Sequence, residues 1–145
     1  MKCSSECIEA IKAFEGFRSK PYVCPGGVLT IGYGHTGRDV TPRSVVDEAQ
    51  ADELLRKDLR TFEIWVENYM PNATQGQFNA LVSLIYNIGI GAFSTSTLKK
   101  KIDRKNGLQK EIEKQWRRWV YAKSKILPGL VKRREWEITQ FFCQG

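Results

Sequence analysis

The sequence predicts an α+β fold that is mostly helical, and three observations predict it. Six segments repeat apolar residues every three or four positions, as one face of a helix does. Between the first two lies a glycine-rich stretch, Tyr22 to Tyr33, that alternates as a β-hairpin does. Met70-Pro71-Asn72 then breaks the chain, so a small hairpin-bearing part precedes an all-helical remainder.

Each element has a local reason. Residues 5–15 form an amphipathic helix with Cys7, Ile8, Ile11 and Phe14 on one face. Ser4 or Ser5 can cap it, and Gly16 can end it. Tyr22-Val23-Cys24, the turn Pro25-Gly26-Gly27 and Val28 to Tyr33 make the hairpin. Leu29, Ile31 and Tyr33 fall on one face, and Val28, Thr30 and Gly32 on the other, whose small side chains leave room for a ligand. Asp47-Glu-Ala-Gln50 is a capping box opening a helix to about Trp65, with Ala51, Leu54, Leu55, Leu59 and Phe62 inward. Thr74 can cap the next helix, where Phe78, Leu81, Val82, Ile85 and Ile88 read as largely buried and which Gly89 and Gly91 end. Shorter helices follow at 96–102, stopped before Asn106-Gly107, and at 109–122, with Ile112, Trp116, Trp119 and Val120 inward. After Leu127-Pro128-Gly129, Leu130 to Phe142 is the last helix, with Leu130, Arg134, Ile138 and Phe141 on one stripe. One domain is expected over 1–145: a hairpin lobe at 14–46, a connecting helix at 47–66, and a helical lobe at 73–145 on which helix 5–15 packs.

Glu15 is the first candidate for chemistry. It sits where a helical face ends, between Phe14 and Phe17. Partial desolvation there suits a general acid, although a surface carboxylate at a helix end is the commoner case. Cys24 and Thr30 follow on the hairpin, where a thiol and a hydroxyl can hold a water molecule; locally they read equally as a buried Cys and an ordinary strand Thr. His35 is the only histidine, with Asp58 as its expected structural partner. Gly32-Tyr33-Gly34 is too short for a phosphate-binding fingerprint. No histidine zinc motif or paired Cys-x-x-Cys is present, so no metal and no cofactor are expected.

Charge divides the chain. Residues 1–72 carry nine Lys/Arg against eleven Asp/Glu, and residues 73–145 carry fourteen against five. The basic half suits an anionic partner, or is a solvated helical surface. Lys99-Lys100-Lys101 with Arg104 and Lys105 could hold phosphates, but no recognition-helix pattern accompanies them, and no nucleic acid is expected. No window approaches the roughly 20 apolar residues of a membrane span, and Met1 to Glu9 has no apolar signal core. Cys3, Cys7, Cys24 and Cys143 read as free thiols, in preference to a site-blocking disulfide from Cys24 to Cys3 or Cys7.

Taken together, these residues resemble the phage-type lysozymes, the endolysins of glycoside hydrolase family 24. Glu15, Cys24 and Thr30 match the family's spacing of Glu, eight residues, Asp or Cys, five residues, Thr. Thr30-Ile-Gly-Tyr-Gly-His-Thr36 is similar to its hairpin, and Ala51 to Leu59 to its inter-lobe helix. Gln77 to Phe93, Ser96-Thr97-Leu98, Trp119 and Leu127 to Glu137 resemble the later segments. Many members carry Asp at the position of Cys24. The resemblance implies an enzyme that hydrolyses the β-1,4 bond between N-acetylmuramic acid and N-acetylglucosamine in peptidoglycan glycan strands. It implies Glu15 as the acid, Cys24 and Thr30 placing the attacking water, and inversion at the anomeric carbon; the Cys24 thiol could also attack that carbon itself. It further implies a monomer made in the host cytoplasm and released to the periplasm or wall, where the basic half would make peripheral contact with an anionic wall or membrane surface.

Overall fold

The structure, a computed structural model, describes residues 1–24, 26–104, 107–122 and 124–143. Pro25 of the expected turn, Lys105 of the basic run and Asn106 of the expected helix stop lie outside the described residues.

Helix α1 (Ser5–Glu15) is capped by Ser4, whose hydroxyl accepts the Cys7 N–H, and it ends at Gly16 in the left-handed region at φ 75°. Three antiparallel strands follow in the order β1 (Arg18–Val23), β2 (Leu29–Gly32), β3 (His35–Thr36). The expected hairpin is therefore part of a three-stranded sheet. Strand β1 begins at Arg18 and carries an irregularity before Tyr22, and the third strand pairs His35 with Ile31. Two residues are too few for alternation to reveal such a strand.

Helix α2 (Glu48–Tyr69) begins at the predicted capping box, with the Asp47 side chain and the Gln50 amide satisfying each other's backbone. It runs past Trp65 because Trp65 and Tyr69 stack on each other at 5.3 Å and both rings meet Phe93. Ala51 of α2 lies against Gly32, 3.2 Å from where a Cβ there would sit. At Gly32 the small face of the hairpin therefore admits helix α2, and Thr30 on the same face is buried.

Helix α3 (Gln75–Ile88) has a second complete capping box, Thr74 with Gln77, and buries every residue from Phe78 to Ile85. Gly89 ends it, and the one-turn α4 (Ile90–Ser94) and α5 (Thr97–Asp103, capped by Ser96) follow. The core packs α3 against α1, α2, α4 and α7, and one apolar cluster joins Ile11, Leu55, Leu59, Phe78, Leu81, Leu84, Phe93, Trp116 and Ile138.

The expected helix at 109–122 is shorter. Helix α6 (Gln109–Trp116) stops, and a small hairpin, β4 (Tyr121–Ala122) with β5 (Lys125–Ile126), replaces its second half. Trp116 and Val120 are buried at helical spacing. A turn after Trp116 buries both equally well, so the period could not distinguish helix from turn. Helix α7 (Pro128–Phe142) starts with proline at a position where its missing N–H costs nothing. Its buried stripe is Arg133, Arg134, Glu137, Ile138 and Phe141, more polar than predicted. No helix among the described residues is long and apolar enough to cross a membrane.

Candidate active site

Glu15 is the last residue of α1, and the Gly16 turn leaves its carboxyl at the helix end. It lines a cleft of about 490 Å³ with Gly34 and Thr36 from the sheet, Lys57, Asp58, Thr61 and Phe62 from α2, and Tyr86 and Asn87 from α3. The Glu15 side chain is 20% exposed, as expected of a partly desolvated acid. It is not isolated among apolar groups, however. Phe14 turns away to meet Trp136 and Phe17 meets Tyr33, while Arg133 Nη1 donates to Glu15 Oε2 at 2.5 Å.

Arg133 is 3% exposed and cannot swing away freely. Its Nε donates to the Ser83 hydroxyl at 3.2 Å and its Nη2 to the Ser83 carbonyl at 3.0 Å. Glu137 Oε2 lies 3.4 Å from Arg133 Nε and accepts the Ser83 hydroxyl at 2.6 Å; Glu137 Oε1 accepts the Trp116 indole N–H at 3.0 Å. Arg134 Nη2 reaches Asn87 Oδ1 at 2.8 Å. Its Nε is 2.9 Å from Glu137 Oε1 but points off the hydrogen-bond line and has no partner of its own. Burial pushes the Arg134 guanidinium down to about 10, against the opposing pull of Glu137. Charges alternate in sign from Glu15 through Arg133 to Glu137 and Arg134, which is how ionised groups become tolerable in an interior. Sequence reasoning placed Arg134 on this stripe and missed Arg133. The available signal was an Arg pair with a Glu three and four residues on, inside an apolar helical period.

Tyr86 caps the cleft from α3, its hydroxyl donating to the Tyr33 carbonyl at 3.3 Å. Burial, then the charges of Glu15 and Asp58, raise its phenol, so it remains a neutral donor. Gly34, at φ 87°, is the close approach in the site: a Cβ there would stand 2.8 Å from Glu15 Oε1. Gly34→Ala is expected to cost about 1–2 kcal/mol of backbone strain. By displacing the carboxylate it should lower turnover by on the order of 100-fold. Parallel measurement of unfolding and turnover separates the two effects.

Cys24 and Thr30 do not line the cleft with Glu15. Tyr22 lies opposite Thr30 in the sheet, and Cys24 is two residues past Tyr22, so the three share a face. Burial raises the Tyr22 phenol first and the Glu15 charge raises it next, while Arg18 lowers it and Cys24 raises it slightly. That face is therefore within electrostatic reach of Glu15. Thr30 is 3% exposed and its hydroxyl donates to the Val28 carbonyl at 3.0 Å. Cys24 is half-buried. The Val28 amide, then the Thr30 hydroxyl and the Gly26 amide, hold its thiol below the ordinary value. Thr30 has one hydrogen to give, so the thiolate and the Val28 carbonyl compete for it. Site-resolved alkylation of Cys24 by iodoacetamide should reach half its limiting rate at a lower pH in the folded protein than in the urea-unfolded chain. In Thr30→Val that midpoint should move up. All four cysteines are free, with Cys3 and Cys7 together at the start of α1, Cys24 on the hairpin and Cys143 at the end of α7.

His35 pairs with Asp58 as predicted, Nδ1 to Oδ2 at 2.7 Å, joining β3 to α2. Asp39, which sequence reasoning missed, takes the other nitrogen at 3.0 Å. Only the imidazolium can donate to both carboxylates. Burial alone would lower the His35 pKa; hydrogen bonds and charge from Asp58 and Asp39 outweigh it, and the net direction is up. The His35 hydrogen bond in turn holds the Asp39 carboxyl below its ordinary value. The histidine's contribution to stability is therefore complete below its unfolded value of about 6.5 and is lost as pH rises through the folded value. The Asp39 contribution is present above its unfolded value and is lost as pH falls through the folded one. Asp58→Asn should destabilise more at about pH 5.5 than at about pH 9 in urea titrations; an equal cost at both would exclude a charged pair.

A small sheet and a helical body joined by one long helix, with a lone carboxyl at the end of the first helix, define the lysozyme class of glycan-cleaving folds. Residues 12–137 match the phage lysozyme family profile, and the chain belongs to that family. It is 43% identical to the endolysin of Bacillus phage B103 over 144 residues, 97% of this chain and 54% of that protein. It is 46% identical to the SAR-endolysin of Bacteriophage PS119 over 127 residues, 85% of this chain and 73% of that protein. The chain thus spans about half the length of the first of these relatives. Among solved structures, the muramidase domain of SpmX from Asticaccaulis excentricus superposes with a TM-score of 0.86 at 34% identity, covering 99% of both chains.

Proposed function

We propose that the chain is an endolysin that hydrolyses the β-1,4 bond between N-acetylmuramic acid and N-acetylglucosamine in peptidoglycan, lysing the host cell. The observation that carries this reading is a partly buried carboxyl, Glu15, on the wall of a cleft and fixed by a buried arginine. Membership in the phage lysozyme family supports it.

In this scheme Glu15 protonates the leaving glycosidic oxygen. Arg133 Nη1 fixes the position of the Glu15 carboxyl by donating to its Oε2. Once Glu15 takes up a proton, Glu137 is the carboxylate left beside both Arg133, at 3.4 Å, and Arg134, at 2.9 Å. Cys24 and Thr30 place the water that attacks the opposite face, and the product anomer is inverted. A thiol held toward its thiolate form can orient and polarise such a water, and it can also attack carbon directly. Anomer-resolved NMR of the first product distinguishes these routes. An inverted product with partial activity in Cys24→Ser fits the water; a retained product and a dead Cys24→Ser would overturn it.

The protein acts as a monomer on glycan strands and reaches the wall from the host cytoplasm, while its basic half meets an anionic wall or membrane surface. A wall-binding module without chemistry would leave the cleft carboxyl unexplained. A purely cationic lytic protein would leave Arg133 buried to no purpose.

A further inference from the structure

Between Glu113 and Glu135 the chain has no acidic residue and eight Lys/Arg. Three of the eight are committed: Arg133 and Arg134 are buried in the network behind Glu15, and Arg117 pairs with Glu135 and Glu113. Arg118, Lys125 and Lys132 are exposed and, among the described residues, no carboxylate lies within ion-pair distance of them. The same segment exposes apolar side chains. Tyr121 and Ile126 face each other across β4 and β5 and are 59% and 56% exposed; Leu127 and Val131 beside them are 42% and 38% exposed.

From this juxtaposition we propose that the β4–β5 hairpin and the first turn of α7 dock on an anionic phospholipid surface. The apolar and cationic groups are needed together. Headgroup phosphates attract Arg118, Lys125 and Lys132, and the acyl boundary receives Ile126, Leu127 and Val131. Tyr121 has the amphipathic ring that favours the boundary itself. A polyphosphate or nucleic acid would satisfy the charges and leave these aliphatic side chains in water. Val131 lies two residues before Arg133 on α7, nearly opposite it around the helix, so docking leaves the Glu15 network untouched.

Sedimentation with vesicles of phosphatidylglycerol and phosphatidylcholine, against phosphatidylcholine alone, tests this without any glycan. The protein is expected to partition onto the anionic vesicles and to come off as salt rises. Lys125→Gln with Lys132→Gln, both on the surface, should weaken partitioning by about fivefold per charge. Lys100→Gln with Lys110→Gln, removing the same charge from outside the hairpin and α7, should leave it within about twofold. Tyr121→Ser with Ile126→Ser, checked for an unchanged unfolding curve, should also weaken it. Equal loss in the two lysine pairs would mean diffuse charge and would overturn the proposal. So would undiminished binding by the Tyr121/Ile126 variant, displacement by inorganic polyphosphate as effective as by anionic vesicles, or no partitioning at all. Wall hydrolysis does not enter any of these readouts.

Discussion

Glu15→Gln is expected to lose wall hydrolysis by a factor of about 10² to 10⁴, the usual share of a general acid. The fold should survive, because a Gln oxygen can still accept the Arg133 Nη1 hydrogen that Glu15 Oε2 now takes. An amide N–H is far too weakly acidic to protonate the leaving oxygen, so the loss should fall on turnover and spare binding. Clearing of purified peptidoglycan by wild type and variant, with co-sedimentation on intact walls, measures both. Retained clearing would sink the assignment of Glu15 and leave the basic half as the lytic agent. Lost wall binding would show that the carboxylate holds substrate.

The second large effect concerns stability. Glu137 is fully buried and is the anion shared by Arg133, Arg134, Ser83 and Trp116. Glu137→Gln removes that charge from beside two buried guanidiniums, and breaking a buried pair costs about 3–5 kcal/mol. Glu135, two residues earlier on the same helix, is 49% exposed and pairs with Arg117 at the surface. Glu135→Gln should cost under about 1 kcal/mol. Chemical denaturation of the two variants side by side checks the contrast. Equal costs would mean that water reaches the Glu137 network in solution.

Much of the site was legible before the structure. Glu15, Gly16 and the capping residues Ser4, Asp47 and Thr74 act within a few residues of themselves, and local hydrogen bonding places them where the sequence says. The pairing of His35 with Asp58, 23 residues apart, was reached through the family-like placement of both. The hairpin at 121–126 was not legible, because a two-residue strand has no period and Trp116 and Val120 fit a helix equally well.

By itself the sequence determined the helical periods, their caps, the glycine turns, and therefore the mostly helical fold with one carboxyl presented at a helix end. Those features depend on backbone geometry repeating every few residues. What stands beside that carboxyl was decided only by tertiary structure. Arg133 meets Glu15 across 118 residues, Gly34 approaches it through a turn, and Ala51 rather than a ligand fills the space at Gly32. The physical reason is that a buried charge must find its partner wherever packing brings one. That choice belongs to α3 and α7 lying together over Ser83, and no local pattern in either helix encodes it.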